Sequence, residues 1–165
     1  GNYTDDKRTG VWHFFDADGQ VMEHFNYDTN TLLYEAPEDT TSNIRYVLDD
    51  KFKPTDRVTK PIKTGGRYFA YIPYLKQFKL PADMENISHE QYVAVLELLI
   101  TPLGRLADFK IHLKSAVYER VMNINPNLLA DADKTFIPAS LNGEPVSCRI
   151  FIQCYLNDFD EIDMK

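Results

Sequence analysis

Apolar and polar residues alternate along several stretches of this chain, and the alternation predicts most of its strands. Residues 106–114 set Ala107, Phe109, Ile111 and Leu113 against Asp108, Lys110, His112 and Lys114, which is the period-two pattern of a strand with one buried and one wet face. Residues 148–156 do the same, with Cys148, Ile150, Ile152, Cys154 and Leu156 inward and Arg149, Phe151, Gln153 and Tyr155 outward. Between 92 and 100, Ala94, Leu96, Leu98 and Ile100 share a face while Glu97 sits opposite between Val95 and Leu99, the mark of a central strand partly covered on both sides. Nearer the start, β-prone runs at 11–15 and 21–27 flank a turn in which Gly19 supplies positive φ, and 31–35 follows as a third strand.

Two stretches read as helical instead. Tyr68, Phe69, Ile72 and Leu75 are spaced for one apolar helix face, entered through Gly65 and Gly66 and kinked or delayed by Pro73. Val117, Val121, Ile124, Leu128, Leu129 and Ala132 also fit helical spacing, and Asn125 followed by Pro126 can cap and start a second short helix. The expected fold class is therefore α+β. A β-meander at 1–35 is followed by a linker at 36–60 holding one short strand at 44–48. A helix-strand-strand-helix-strand domain at 61–157 then builds a three-stranded antiparallel sheet with two helical segments, and an acidic tail occupies 158–165.

Composition narrows the function classes. Of 165 residues, 44% are hydrophobic and 26% charged, as in globular proteins, and 10 Tyr with 10 Phe suit a β-rich chain. The net charge of −7 leaves no basic stripe for a nucleic-acid backbone. The longest apolar run, 92–100, is about half of the ~20 residues a spanning helix needs, so no membrane span is expected. Gly1 at the start and the polar segment 2–9 suggest that the natural N-terminus has been removed.

Candidate chemistry is sparse. Cys148 and Cys154 lie six apart in one strand, roughly 20 Å in extended geometry, too far to bond to each other, and read as small core hydrophobes. His13, His24, His89 and His112 lack the spacing of zinc ligands, and His112 reads as solvated on a wet strand face. Asp158, Asp160, Glu161 and Asp163 read as a solvated acidic run, with weak calcium binding as the sharper alternative. No nucleophile elbow or phosphate-cradling loop is present in the sequence. The expectation is a non-catalytic protein without cofactor or metal.

Two resemblances sharpen the picture. Gly10, Trp12, Phe15 and Gly19 follow the spacing of one MORN-repeat-variant unit, and Trp12 then reads as a core aromatic of its hairpin rather than a ligand platform. Over residues 61–157 the chain resembles TonB C-terminal domains. Gly65 and Gly66 precede the first helix, and Gly104, Leu106, Asp108, Lys110 and Ile111 match a strand entry. Phe136, Pro138, Ala139, Asn142, Gly143, Pro145 and Val146 match the ending that leads into the last strand. Leu80, Gln91 with Tyr92, and Phe136 depart from the family's usual residues, so energy transduction is left out of the expectation. The resemblance implies a periplasmic or envelope protein, of a kind exported by Bacteroidetes, that binds a peptide or an outer-membrane receptor segment by adding it to the last strand. Arg149, Phe151, Gln153 and Tyr155 are then the partner-binding residues. A homodimer formed through the same sheet edge is the alternative.

Overall fold

A computed structural model describes residues 1–38, 42–84 and 88–164. Residues 39–41 of the expected linker and 165 of the expected tail lie outside the described residues. Strands occupy 46% of the chain and helical turns 10%, so the fold is mainly β rather than α+β. The chain divides into two compact units, Gly1–Thr41 with Lys63–Tyr71, and Ser42–Ile62 with Ile72–Lys165.

The smaller unit contains a hairpin, β1 (Asn2–Thr4) with β2 (Lys7–Thr9), and an antiparallel meander of β3 (Val11–Phe15), β4 (Val21–Asn26) and β5 (Thr31–Glu35). The β3–β4 turn is closed by Asp16, whose Oδ1 accepts from Asp18 N at 3.0 Å and Gln20 N at 2.8 Å, and Gly19 follows at φ 79°. Trp12 is half-buried among Tyr3, Phe14 and Tyr27, with ring centroids 5.0, 6.2 and 5.9 Å away. The Arg8 guanidinium lies 4.9 Å from the Trp12 ring and donates to Tyr27 Oη at 2.8 Å, so the indole is enclosed by the unit's own side chains. Its Nε1 donates to Thr9 O at 3.1 Å.

In the larger unit, six strands of the described residues form the main antiparallel sheet. Its path runs from β10 (Glu119–Asn123) through β9 (Leu106–Lys114), β8 (Val93–Ile100) and β13 (Cys148–Leu156) to β14 (Ile162–Met164), and β6 (Ile44–Leu48) also pairs with β13. The three strands read most directly from alternation, β8, β9 and β13, lie side by side at its centre. Their inward residues Leu96, Leu98, Phe109, Ile111, Leu113, Ile150 and Ile152 are fully buried, each worth about 2 kcal/mol relative to exposure. Tyr74 covers this face, its ring 5.4 Å from that of Phe109 and its hydroxyl donating to Asp133 O. Cys148 and Cys154 are free and buried, and burial pushes their thiols up to about 11 and about 12.

Both expected helices are corrected. From 65 to 78 the chain makes only a 3-10 turn at Phe69–Tyr71 and one α turn, α1 (Ile72–Leu75). Gly65 at φ 120° and Gly66 at φ 81° hold the preceding backbone outside helical space, and Pro73 in the first turn has no N–H to extend the ladder. The second stretch is a strand: β10 pairs with β9 from Glu119↔Lys114 to Asn123↔Lys110. Pro126 holds Asn125 extended at φ −70° and ψ 115°, so one helix cannot run across it. Asn125 nevertheless caps a 3-10 turn at Pro126–Leu128, accepting from Asn127 N at 3.0 Å. Val117 and Val121, spaced as a helix face, are both exposed.

The sheet is also larger than three strands. The short strand expected at 44–48 is β6, paired with β13 from Leu48↔Cys148 to Ile44↔Ile152. Within the expected tail, β14 pairs with β13 from Ile162↔Leu156 to Met164↔Cys154.

The motif residues at the end of the resemblance build a hairpin beside this sheet. β11 (Ala139–Leu141) and β12 (Glu144–Val146) are joined by Asn142 at φ 53° and Gly143 at φ 87°, the positive-φ pair of a two-residue hairpin turn. The other side of β11 pairs with β7 (Val58–Thr59). Asn142 Oδ1 accepts from Arg57 N at 2.9 Å, and its amide nitrogen donates to Asp56 Oδ1 at 3.1 Å. Gly104 leaves no room for a side chain: a Cβ there would lie 2.1 Å from Phe136 O, while Phe136 N donates to Gly104 O at 2.8 Å.

Candidate functional site: the open face and free edge of the main sheet

Arg149, Phe151, Gln153 and Tyr155 do lie on one face of β13, turned away from the core. The strand that carries them is not an edge, however. β8 pairs with it from Cys148 to Tyr155, while β6 and β14 take up its other side and Gln153 N donates to Asn43 O at 2.9 Å. A peptide has no room to add to β13, because the backbone donors it would need are already engaged. Strand addition at the last strand is therefore withdrawn as a binding mode, and with it a homodimer through β13.

Of the four side chains, Arg149 belongs instead to a face-on polar lattice that crosses the sheet. Arg149 donates to Glu97 Oε1 at 2.8 Å and its Nε lies 3.6 Å from Asp49 Oδ1. On the other side of Glu97, His112 Nε2 stands 2.6 Å from Oε2, and His112 Nδ1 faces Glu119 Oε1 at 3.3 Å. Lys114 Nζ reaches the same Glu119 oxygen at 3.1 Å. The line Glu119, His112, Glu97, Arg149 thus runs through four successive strands from β10 to β13. Burial raises the Glu97 carboxyl, but the hydrogen bonds and charges of His112 and Arg149 outweigh it and hold the group below its ordinary range.

Chemically, this lattice fixes register rather than activating a group. Carboxylates only accept, so each Glu97 oxygen is engaged by a donor, one from His112 and one from Arg149. His112 is half-buried in an ion network rather than simply solvated. The signal was present in the sequence as a lone Glu97 between apolar neighbours and a histidine on the wet face of the next strand. It needed the hairpin register, Glu97↔Lys110 and Val95↔His112, to become a contact. Phe151 lies under the Arg45 guanidinium at 4.9 Å, and Gln153 and Tyr155 are exposed.

One unpaired edge of this sheet is β10; β6 and β14 form the opposite edge, each pairing only with β13 among the described residues. Ser115 N donates to Tyr118 O and Ile124 N to Phe109 O. Antiparallel pairs alternate, so with the β9–β10 register Arg120 and Met122 are the β10 residues bonded to β9. Glu119, Val121 and Asn123 direct their N–H and C=O groups outward, and among the described residues no strand meets them. No group of three or more His, Cys, Asp or Glu that could hold a metal ion occurs among the described residues. Asn157 closes the acidic β13–β14 turn on itself, its Oδ1 accepting from Phe159 N at 2.9 Å and Glu161 N at 3.0 Å.

In the smaller unit, Glu23 is a buried carboxylate whose hydrogen-bond partners are backbone amides. Its Oε1 accepts from Gly65 N at 3.1 Å and its Oε2 from Gly66 N at 3.2 Å. Two successive amides with positive φ form an anion-binding nest, and here the chain fills it with its own side chain. Gly65 and Gly66, expected as the entry to a helix, serve as that nest.

No protein-family model, no curated protein and no solved structure matches this chain.

Proposed function

We propose that this chain is a non-catalytic protein-interaction module whose larger unit captures an extended peptide by strand addition at β10. The observation that carries this reading is the outward row of backbone donors and acceptors at Glu119, Val121 and Asn123. Added strands gain affinity from main-chain hydrogen bonds and specificity from alternate side chains. The lattice through His112, Glu97 and Arg149 supports it by locking the register of the strands behind that edge. A periplasmic or envelope setting, with an outer-membrane receptor segment as the peptide, is supported by the resemblance of Gly104 and of 136–146 to TonB C-terminal domains.

A second reading, a homodimer through the same edge, is favoured by one feature of β10. Antiparallel pairing about a two-fold axis at Val121 would set Glu119 opposite Asn123 of a second copy, with Arg120 opposite Met122, so no like charges meet.

The test is a display selection of ten-residue peptides on the immobilised chain, followed by rebinding to Val121→Pro. Proline removes one outward N–H while the bonds of Arg120 and Met122 to β9 remain. Selected peptides are expected to lose at least ten-fold in affinity for V121P. Equal binding to V121P, or no binders at all, overturns peptide capture at β10. A concentration-dependent dimer that V121P abolishes in sedimentation identifies the second reading.

A further inference from the structure

At one end of the main sheet two hairpin turns come together carrying large apolar side chains that the fold leaves in water. Val117 at the tip of the β9–β10 turn is 96% exposed, and Phe159 at the tip of the β13–β14 turn is 83% exposed. The registers place both at the same end: Lys114 opposes Glu119 and Val93, Val93 opposes Tyr155, and Leu156 opposes Ile162. From the middle of one hairpin to the middle of the other is three strand spacings, roughly 14 Å. The segment leading into β8 spans that gap. His89 Nε2 lies 2.8 Å from Asp160 Oδ1 of one turn, and the Tyr92 ring lies 6.4 Å from the Tyr118 ring of the other.

Neither tip side chain is needed to close its turn. The first turn is held by Ser115 N donating to Tyr118 O at 2.8 Å and by the Ser115 hydroxyl accepting from Val117 N at 3.4 Å. The second is held by Asn157, whose backbone N donates to Glu161 O at 2.8 Å and whose Oδ1 takes the Phe159 and Glu161 amides. Polar residues at 117 and 159 would close these turns equally well. Each instead carries apolar area worth about 2 kcal/mol if a partner buried it. Exposed Val93, Tyr118 and Tyr155 continue the apolar surface between and beside the tips.

We infer that this end of the larger unit is a docking surface for a basic protein segment with large apolar anchors. Charge complementarity selects that occupant. Asp158, Asp160 and Glu161 surround Phe159, Glu119 follows Tyr118, Glu90 lies in the bridging segment and Asp163 reaches toward Tyr155 Oη at 3.5 Å. Lys114 at this end is paired to Glu119, and His89 contacts Asp160. An acidic rim repels anionic lipid headgroups and other acidic proteins, and attracts Lys- and Arg-rich segments. The surface is separate from the β10 edge: it uses side chains at the strand ends rather than backbone groups along a strand.

Fluorescence polarisation of the full chain tests it with a labelled ten-residue peptide of four Arg and two Trp, and with the same peptide bearing Glu for Arg. The Arg peptide is expected to bind at least ten-fold tighter than the Glu peptide. V117S with F159S should weaken it at least ten-fold, and Asp158→Lys with Glu161→Lys should abolish its salt dependence. Val121→Pro should leave it unchanged. Four outcomes overturn the inference: equal affinity for the two peptides, unchanged affinity in V117S/F159S, loss of binding in V121P, which would make the peptide a β10 strand, and preferential binding of the chain to phosphatidylcholine vesicles through the tips. Retention of Arg-peptide binding in V121P while selected extended peptides are lost separates this surface from the edge.

Discussion

Glu23 in the smaller unit and Glu97 in the larger are both carboxylates set within strands, and the two units hold them by opposite means. Glu23 is 1% exposed and rests on two backbone amides. Desolvation dominates there, so its carboxyl lies above the ordinary value despite the Gly65 and Gly66 bonds and the nearby Lys63 charge, with Glu35 pushing the same way. Glu97, with a side chain 14% exposed, is held by a histidine and an arginine on the strands either side, and its carboxyl lies below the ordinary value. Fixed dipoles orient a carboxylate without fully replacing its hydration, whereas formal charges and donors at 2.6 to 2.8 Å do so with energy to spare.

The largest effect should come from Glu23→Ala, which leaves two buried amides without acceptors. The cost is about 3 kcal/mol, read as a lower urea midpoint of the Trp12 fluorescence transition, since the chain's one tryptophan lies in that unit. An unchanged midpoint would show that the nest closes without its anion. Glu97→Ala removes charged partners from a half-open face, where screening reduces the loss to about 1 kcal/mol. It should appear as faster amide exchange over Val93–Ile100 with the Trp12 transition unmoved. Coupled shifts in both readouts would break the separation between the units.

Gly66→Ala tests the nest without touching the carboxylate. A Cβ there meets Met22 and Phe14 only at ordinary contact distances of 3.7 and 3.8 Å, so the cost is the backbone strain of φ 81° alone, about 1 kcal/mol. The smallest effects are in pH. The raised Glu23 carboxyl contributes stability that is present below the ordinary value of 4.5 and is lost as pH rises through its folded value. The lowered Glu97 carboxyl contributes stability that is present above 4.5 and lost as pH falls through its folded value. Glu23→Gln should therefore flatten a decline in the Trp12 midpoint on raising pH above 4.5, and Glu97→Gln should flatten a decline in β8 protection on lowering it. Slopes of the same sign in both readouts would refute the contrast.

Alternation and turn chemistry determined what each residue could do locally. Period two at 92–100, 106–114 and 148–156 assigned three strands and the face each buries, except at Ala107, expected inward but exposed where a bulge opposite Leu99 and Ile100 turns Leu106 inward instead, and Gly19, Gly104 and Asn142 with Gly143 placed turns where only their backbone freedom serves. The outward set Arg149, Phe151, Gln153 and Tyr155 was legible for the same reason. A period states which way side chains point and says nothing about which strand lies alongside. That β13 is interior depends on Ile44 meeting Ile152 and Ile162 meeting Leu156, so that β10 and not β13 offers a free edge was decided only by tertiary pairing. The segment 117–124 is the sharper case: its valines satisfy helical spacing, yet the row of donors on β9 and the stop at Pro126 make it a strand. Glu23 with Gly65 and Gly66, and Glu97 with His112 and Arg149, are likewise contacts across 15 to 52 residues of chain. Local sequence carries the propensity of each partner, while only the folded sheet brings a carboxylate within hydrogen-bonding reach of donors that distant.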